Sequence, residues 1–389
     1  MIRKTFFWLH LVAGITAGLF IFIMAATGVI LSFERQITEF LDRDIRSVSA
    51  PSEAQPRPLN EQLAAVRRTG IGNPTAIAIR NHPQATTEFT IDRNKTLYVD
   101  PYSGAVLGTS STAAHQFFST VEKAHRSLGA PLGSKNVGHW LTAISNLLFA
   151  ILILLGVFLW LPRKWNTKSV RAIIAFKSGL RAKAREWNWH NVIGIWCALP
   201  LLVIALTGVV MSFDWANALL FRITGSTPAP SGRRGGDRPS RGQSDLGQEP
   251  DYDKMLVAAK ALNSNWRTIT LNLARDSQSP LTTIIDTGSG EQPQDRTQYI
   301  LNRETSAVTK TISFSDSSLG QKLRTFVRFG HTGEYFGLIG QAIAAIASLG
   351  ACILVYTGLS LAFRRFAALW KRKRAAAPVR QAYAGQPVR

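Results

Sequence analysis

Cysteine is scarce: the 389-residue chain holds two, Cys197 and Cys352, both inside apolar runs. That excludes a disulfide framework and any iron–sulfur or zinc centre built on thiolates, and leaves two thiols expected to pack as small apolar groups. No CxxCH occurs, so covalent haem attachment is excluded as well. Nothing matches a phosphate-binding glycine loop, a flavin fingerprint or a hydrolase triad, so the chain has no nicotinamide or flavin site of its own and any electrons must come from an external donor. Acidic residues are also few, 24 against 45 basic ones, for a net charge of +21. The placement of the excess argues against nucleic acid. Eighteen of the basic residues fall in short segments flanking apolar runs, where they set orientation and meet membrane lipid.

What the chain does have is one stretch that occurs twice. Residues 10–34 read HLVAGITAGLFIFIMAATGVILSFE and residues 190–214 read HNVIGIWCALPLLVIALTGVVMSFD, identical at eleven of twenty-five positions. Twenty-three uncharged residues separate each histidine from the closing acid, enough to cross a bilayer as a helix at about 1.5 Å per residue. Apolar runs at Trp140–Leu161 and Phe336–Phe363 bring the expected spans to four. The first run, behind Arg3 and Lys4, is too long for a signal peptide and reads as an anchor. Residues 162–189 carry eight Lys or Arg against one Glu, and the tail from Arg364 carries eight with no acid. Both are therefore expected on the cytoplasmic side of a bacterial inner membrane, with both termini inside.

The fold class that follows is an α-helical membrane protein, a four-helix bundle made as a tandem repeat, with two small α+β domains in the periplasm. The expected order is TM helix 1 over 8–33, α+β domain 1 over 35–115, an amphipathic helix and TM helix 2 over 116–161, the basic loop 162–189 and TM helix 3 over 190–213. A flexible linker follows over 225–250, then α+β domain 2 over 251–320, TM helix 4 over 326–363 and the basic tail 364–389. Within the polar segments, helices are expected near Leu59–Arg68 and Tyr252–Leu262. TLYVDPYSGAVLG reads as strand, turn and strand, and TQYILNRETSAVTKT echoes it.

A polar side chain inside a membrane helix is a functional-site hypothesis by default. His10 and His190 enter their spans at matching depth, each with a glycine at i+4, Gly14 and Gly194, which leaves a flat surface beside the ring. Two such imidazoles on facing helices suit the two axial positions of a haem b. At the other membrane face, glycines eighteen apart (Gly138 and Gly156; Gly340 and Gly358) set a register in which His139 aligns with Gln341, and His125 and His331 differ by four residues that fall in the Gly-Pro break after His125; these two are taken as a second axial pair, with His139 as an alternative ligand. Arg328, Glu334 and Tyr335 flank His331 and are candidate substrate contacts.

The twin HxxxG, the AHRSLG and HTGEYFG segments and the YVDPYSGAVLG hairpin together resemble the PepSY-associated transmembrane family over nearly the whole chain. The family includes ferric-siderophore (ferrioxamine) reductases. The resemblance implies a protein with two haem b groups on His10, His125, His190 and His331 that reduces a ferric siderophore, of hydroxamate type, at the periplasmic face. The rival readings are a haem-free membrane scaffold, sensor or transporter, and a quinone-linked cytochrome b.

Overall fold

The fold follows from the alternation of uncharged runs with polar, alternating ones. In the computed structural model, residues 1–50, 54–92, 95–131, 136–162, 166–227, 249–274, 280–290 and 292–383 are described. Residues 228–248, most of the expected linker, lie outside them. The chain divides into two compact units: residues 1–32, 121–213 and 342–389 form one, and residues 33–120 and 214–341 the other.

The first unit is helical. Its long helices are α1 (Ile2–Leu31), α5 (Val137–Trp160), α7 (Ala182–Ser212) and α11 (Gly337–Tyr383), and with the short turn preceding α11 they supply four stretches long and apolar enough to cross a membrane. Most of their apolar surface faces outward: Leu9, Val12, Ile15, Leu19 and Phe22 of α1 are exposed, as are Ile343, Ile346 and Leu349 of α11. A helix that is apolar all round is suited to lipid rather than to water. Inside the bundle the contacts are small. Ala17, Ile21 and Leu152 form one cluster, and Leu201, Ala347 and Ala351 another. A methyl on Gly350 would meet Cys197 Sγ at 2.6 Å, so that thiol packs against bare backbone, as expected of a small apolar residue. Helices α7 and α11 are also joined by Glu186, which accepts from Ser360 Oγ at 2.8 Å and from both Nε (3.2 Å) and Nη2 (3.0 Å) of Arg364.

The second unit is built on one antiparallel sheet of eight strands, in the order β4-β3-β2-β1-β5-β6-β7-β8. Strands β1 (Ala76–Arg80), β2 (Thr87–Asp92), β3 (Lys95–Val99) and β4 (Val106–Thr109) follow α3 (Leu59–Arg68). Strands β5 (Thr268–Asn272), β6 (Leu281–Asp286), β7 (Arg296–Leu301) and β8 (Val308–Ser313) follow α9 (Tyr252–Leu262). The two polar segments, expected as separate small domains, thus share a sheet and a core. Strand β1 pairs with β5 from Ala76↔Asn272 to Arg80↔Thr268, which satisfies two rows of edge N–H and C=O groups at once. Leu63 and Val66 of α3, Met255 and Ala259 of α9, and Ile77, Phe89, Ile269 and Ile285 of the sheet lie in a single buried cluster. The helices are also capped across the halves: Asp253 Oδ1 accepts from Leu59 N at 2.6 Å, so an acid on α9 supplies the N-cap that Pro58 cannot.

Near the other histidines the helices are broken by residues in left-handed conformations. Helix α4 (Thr112–Ser127) stops as Leu128 and Gly129 turn left-handed, with φ of 53° and 90°. The expected fourth span over 326–363 is two helices. Helix α10 (Leu319–Thr332), opened by a Ser318/Gln321 capping box, ends at Gly333 (φ 82°), a short 3-10 turn follows, and α11 starts at Gly337 (φ 61°). A methyl on Gly333 would stand 2.4 Å from the Gly340 carbonyl, so this break requires glycine. Helix α11 then runs beyond the apolar stretch to Tyr383, making much of the basic tail helical. Helix α2 (Glu34–Leu41) opens the second unit directly after α1, and α6 (Thr167–Ile174) and α8 (Asp214–Ile223) complete the order.

Candidate functional site

Within the helical unit, His10 of α1 and His190 of α7 come together. Their ring centroids are 6.4 Å apart and the rings are nearly perpendicular, at 87°. An imidazole nitrogen binds a first-row metal such as zinc at about 2.0–2.1 Å, so two rings on opposite sides of one metal have centroids ~6.3 Å apart. The observed separation matches that arrangement.

Each ring lies against a glycine of a neighbouring helix. A methyl on Gly156 of α5 would stand 3.3 Å from His10 Cε1, and one on Gly358 of α11 would stand 3.3 Å from His190 Cε1. The glycines four residues after the histidines do something else. A methyl on Gly14 would meet only Leu152 Cδ2, at 4.0 Å, and one on Gly194 only Leu354 Cδ2, at 3.7 Å. The expected flat space at these glycines is thus taken up by a leucine of a neighbouring helix in van der Waals contact, while the glycine that touches each ring comes from across the bundle.

The state of His190 can be deduced from its partner. Thr357 Oγ1 lies 2.9 Å from His190 Nδ1 and donates its single proton to the Ile353 carbonyl at 2.8 Å. A hydroxyl with its proton committed can only accept, so His190 Nδ1 carries the hydrogen and donates it. Nε2 is then an unprotonated lone pair, the form that ligates a metal. His125 of α4 repeats the device. Thr27 Oγ1 donates to the Ile23 carbonyl at 2.6 Å and accepts from His125 Nδ1 at 3.0 Å, and a methyl on Gly28 would stand 3.6 Å from His125 Cε1. His10 differs, because no side chain meets its Nδ1 and the backbone of Leu152 is its hydrogen-bonding neighbour.

These contacts expose a signal in the sequence. Of the seven Thr-Gly steps in the chain, three lie within apolar runs, at 27–28, 207–208 and 357–358, and the corresponding step beside His10 is Leu155-Gly156. Threonine holds the ring nitrogen and glycine admits the ring, so Thr27, Thr357 and Gly28 join the site, together with Gly156 and Gly358, which the sequence marks only as register points.

The remaining candidates are placed as follows. His139 begins α5, where its N–H bonds the Asn136 cap at 2.9 Å; its ring lies against Trp140 with centroids 5.7 Å apart, and its Nε2 is buried without a partner. His331 is half-buried in the last turn of α10, in the second unit. Arg328 is exposed and lies over Phe329, Glu334 accepts from Thr332 Oγ1 at 3.0 Å, and the Tyr335 ring packs on Phe326 with centroids 5.1 Å apart.

Among the described residues no group of three His, Cys, Asp or Glu side chains could hold a bare metal ion. Two imidazoles on opposite sides suit instead a metal that brings its own equatorial donors, as a haem does. The residues of the His10/His190 pair fit such a group in spacing, in the freed Nε2 of His190 and in the uncharged helices around them.

Fold and site thus define a helical membrane protein that presents paired histidines inside its bundle and carries an antiparallel sheet unit. The chain belongs to the family of the PepSY-associated TM region, whose model matches residues 7–365. No curated protein matches it.

Proposed function

We propose that the chain is a di-haem b electron-transfer protein of the bacterial inner membrane, a reductase for ferric siderophores. The observation that carries this reading is the 6.4 Å separation of His10 and His190, with His190 Nδ1 engaged by Thr357 and its Nε2 left to ligate. A second haem would be held through His125, whose ring is fixed in the same way by Thr27, with His331 as its second ligand and His139 as the alternative.

Haem bound at these positions supplies centres that take up and release one electron each. The chain's own part is to hold and orient the imidazoles, to set ligand basicity through the Thr hydroxyls, and to keep water out with apolar helices. The overall reaction is the transfer of one electron from an external donor to a siderophore-bound Fe(III), leaving Fe(II), which hard oxygen chelators hold far less tightly. The ferric siderophore as acceptor follows from the family resemblance. The twin spans and the order of one helix and four strands on each side of the β1–β5 seam support a tandem repeat. The charge of the loop 162–189 and of the tail supports a cytoplasmic position for both and a periplasmic one for the sheet unit.

The test is a visible spectrum of detergent-purified protein, oxidised and reduced, with haem counted per chain. Two low-spin b-type haems, falling to one in His190→Ala, are expected. Colourless protein from haem-replete cells, or two full haem equivalents in His190→Ala, would refute the reading.

A further inference from the structure

The second unit contains a charged cleft that the histidine sites do not use. It lies on the sheet face opposite α3 and α9, at the β1–β5 seam where the two four-stranded halves meet. Alternation puts Ile77, Phe89, Ile269 and Ile285 into the core and turns Arg80, Glu88, Thr268, Thr270, Asp286 and Arg296 to the other face. Helix α2 adds Arg35 and Glu39, the following segment Arg46, and the residue before β5 Arg267. The cleft encloses about 560 Å³, the size of a small-molecule site.

Among the described residues its charge is unbalanced, with five arginines against three carboxylates. Glu88 is shared by Arg46 (3.2 Å) and Arg80 (3.0 Å), Glu39 by Arg35 (3.1 Å) and Arg46 (3.3 Å), and Asp286 binds Arg296 at 2.9 Å. Arg267 has no ion pair among the described residues. The rim is built rather than loose: Arg35 Nη2 donates to the Ser289 carbonyl at 2.9 Å, Arg296 Nη2 donates to the Gly290 carbonyl, and Gly288 N bonds Asp286 Oδ1 at 2.8 Å. Gly290 has φ +83°, and a methyl there would stand 2.7 Å from Arg35 Nη2, so the loop is shaped to let this guanidinium through. Guanidinium forks held in place with two charges in excess favour an oxygen-rich anion, which they can grip bidentately.

We infer that this cleft is the docking site for the ferric substrate, and that the substrate is an anionic chelate bearing carboxylate or catecholate oxygens rather than a neutral tris-hydroxamate. The choice of ligand rests on the ferric-siderophore reading above; the preference for an anion rests on the cleft alone. Arg267 is the free cation that meets the incoming anion. Glu88 competes with it for the neighbouring arginines.

The experiment is equilibrium dialysis of the full chain in detergent with gallium(III) citrate, counting gallium per chain. Gallium is not reduced, so binding is read whether or not haem is present and whether or not electrons pass. Saturable binding is expected, weakened ~10–100-fold in Arg267→Glu, where a charge-assisted contact becomes a repulsion. Haem content should be unchanged in that variant. Glu88→Gln, which removes a competing carboxylate, should tighten binding, and neutral gallium tris-acetohydroxamate should bind at least tenfold more weakly than the citrate complex. Absence of saturable binding, equal affinity in wild type and Arg267→Glu, or equal affinity for metal-free citrate would each overturn the assignment.

Discussion

Replacing Thr357 by Val removes one hydroxyl and little else. Thr357 is fully enclosed and valine has nearly its shape, so the packing of α11 against α7 is preserved. What disappears is the 2.9 Å bond from His190 Nδ1–H, which leaves the ring the backbone of Leu354 alone as a hydrogen-bonding neighbour on that side. A typical net hydrogen bond contributes about 0.5–1.5 kcal/mol, and a buried donor left without a partner costs about 1–3 kcal/mol. Loss of a ligand's outer hydrogen bond independently lowers metal affinity ~10–100-fold, or ~1.4–2.7 kcal/mol, so the two routes to the magnitude agree. The assay is haem retention: purified protein is challenged with excess apomyoglobin and the fraction of haem lost is followed in the Soret band. One of the two haem equivalents should leave ~10–100-fold more readily in Thr357→Val and return to wild-type behaviour in Thr357→Ser, with helical circular dichroism unchanged in both. Equal haem retention in Thr357→Val and wild type would refute the argument that this hydroxyl fixes the His190 tautomer.

The complementary change is Leu155→Thr, which offers His10 Nδ1 a hydroxyl like the one Thr357 gives His190; haem at the His10/His190 pair should bind more tightly, by ~10-fold, in the same retention assay. Arg364→Ala leaves the Glu186 carboxylate without its half-exposed guanidinium partner and should cost about 1–3 kcal/mol of bundle stability, seen as a lower melting temperature, with most of it regained in Glu186→Gln/Arg364→Ala. Burial pushes the Glu88 carboxyl above its ordinary 4.5, against the pull of Arg46, so the folded state holds this proton more tightly than the unfolded chain does. Its contribution to stability is therefore complete below pH ~4.5 and is lost as pH rises through the folded value. Glu88→Gln should gain stability relative to wild type over that rise, measured by denaturant melts across pH 4–8; a gap that closes with rising pH would show the opposite shift.

Much of the frame is written locally. Twenty-three uncharged residues can do little but span a bilayer, and α3 and α9 fall where amphipathic spacing puts them, over Leu59–Arg68 and Tyr252–Leu262. Asp100 and Gly104 make the β3–β4 turn by their own chemistry: Asp100 accepts from Tyr102 N at 2.8 Å and from Ser103 Oγ at 2.7 Å, and Gly104 takes φ 74°. The histidine pair at 10 and 190 was visible because the stretch holding it occurs twice.

What the tertiary structure decided are the contacts between residues distant in the chain. Pairing of β1 with β5 joins segments some 190 residues apart, and nothing in either strand names the other; each only leaves an edge to be satisfied. The glycines against the imidazoles are Gly156 and Gly358 rather than Gly14 and Gly194, because a ring that leaves its own helix meets the backbone of the next. The threonines that fix the ring nitrogens lie 98 and 167 positions from their histidines. In the same way Arg35, Arg80, Arg267 and Arg296 become one cleft only when the sheet closes. The sequence by itself determined which segments seek lipid, which alternate into strands and which histidines recur, since these depend on neighbours within a few turns. Which side chain faces which was decided by packing, where one hydroxyl or one missing methyl sets the chemistry of a ring carried on another helix.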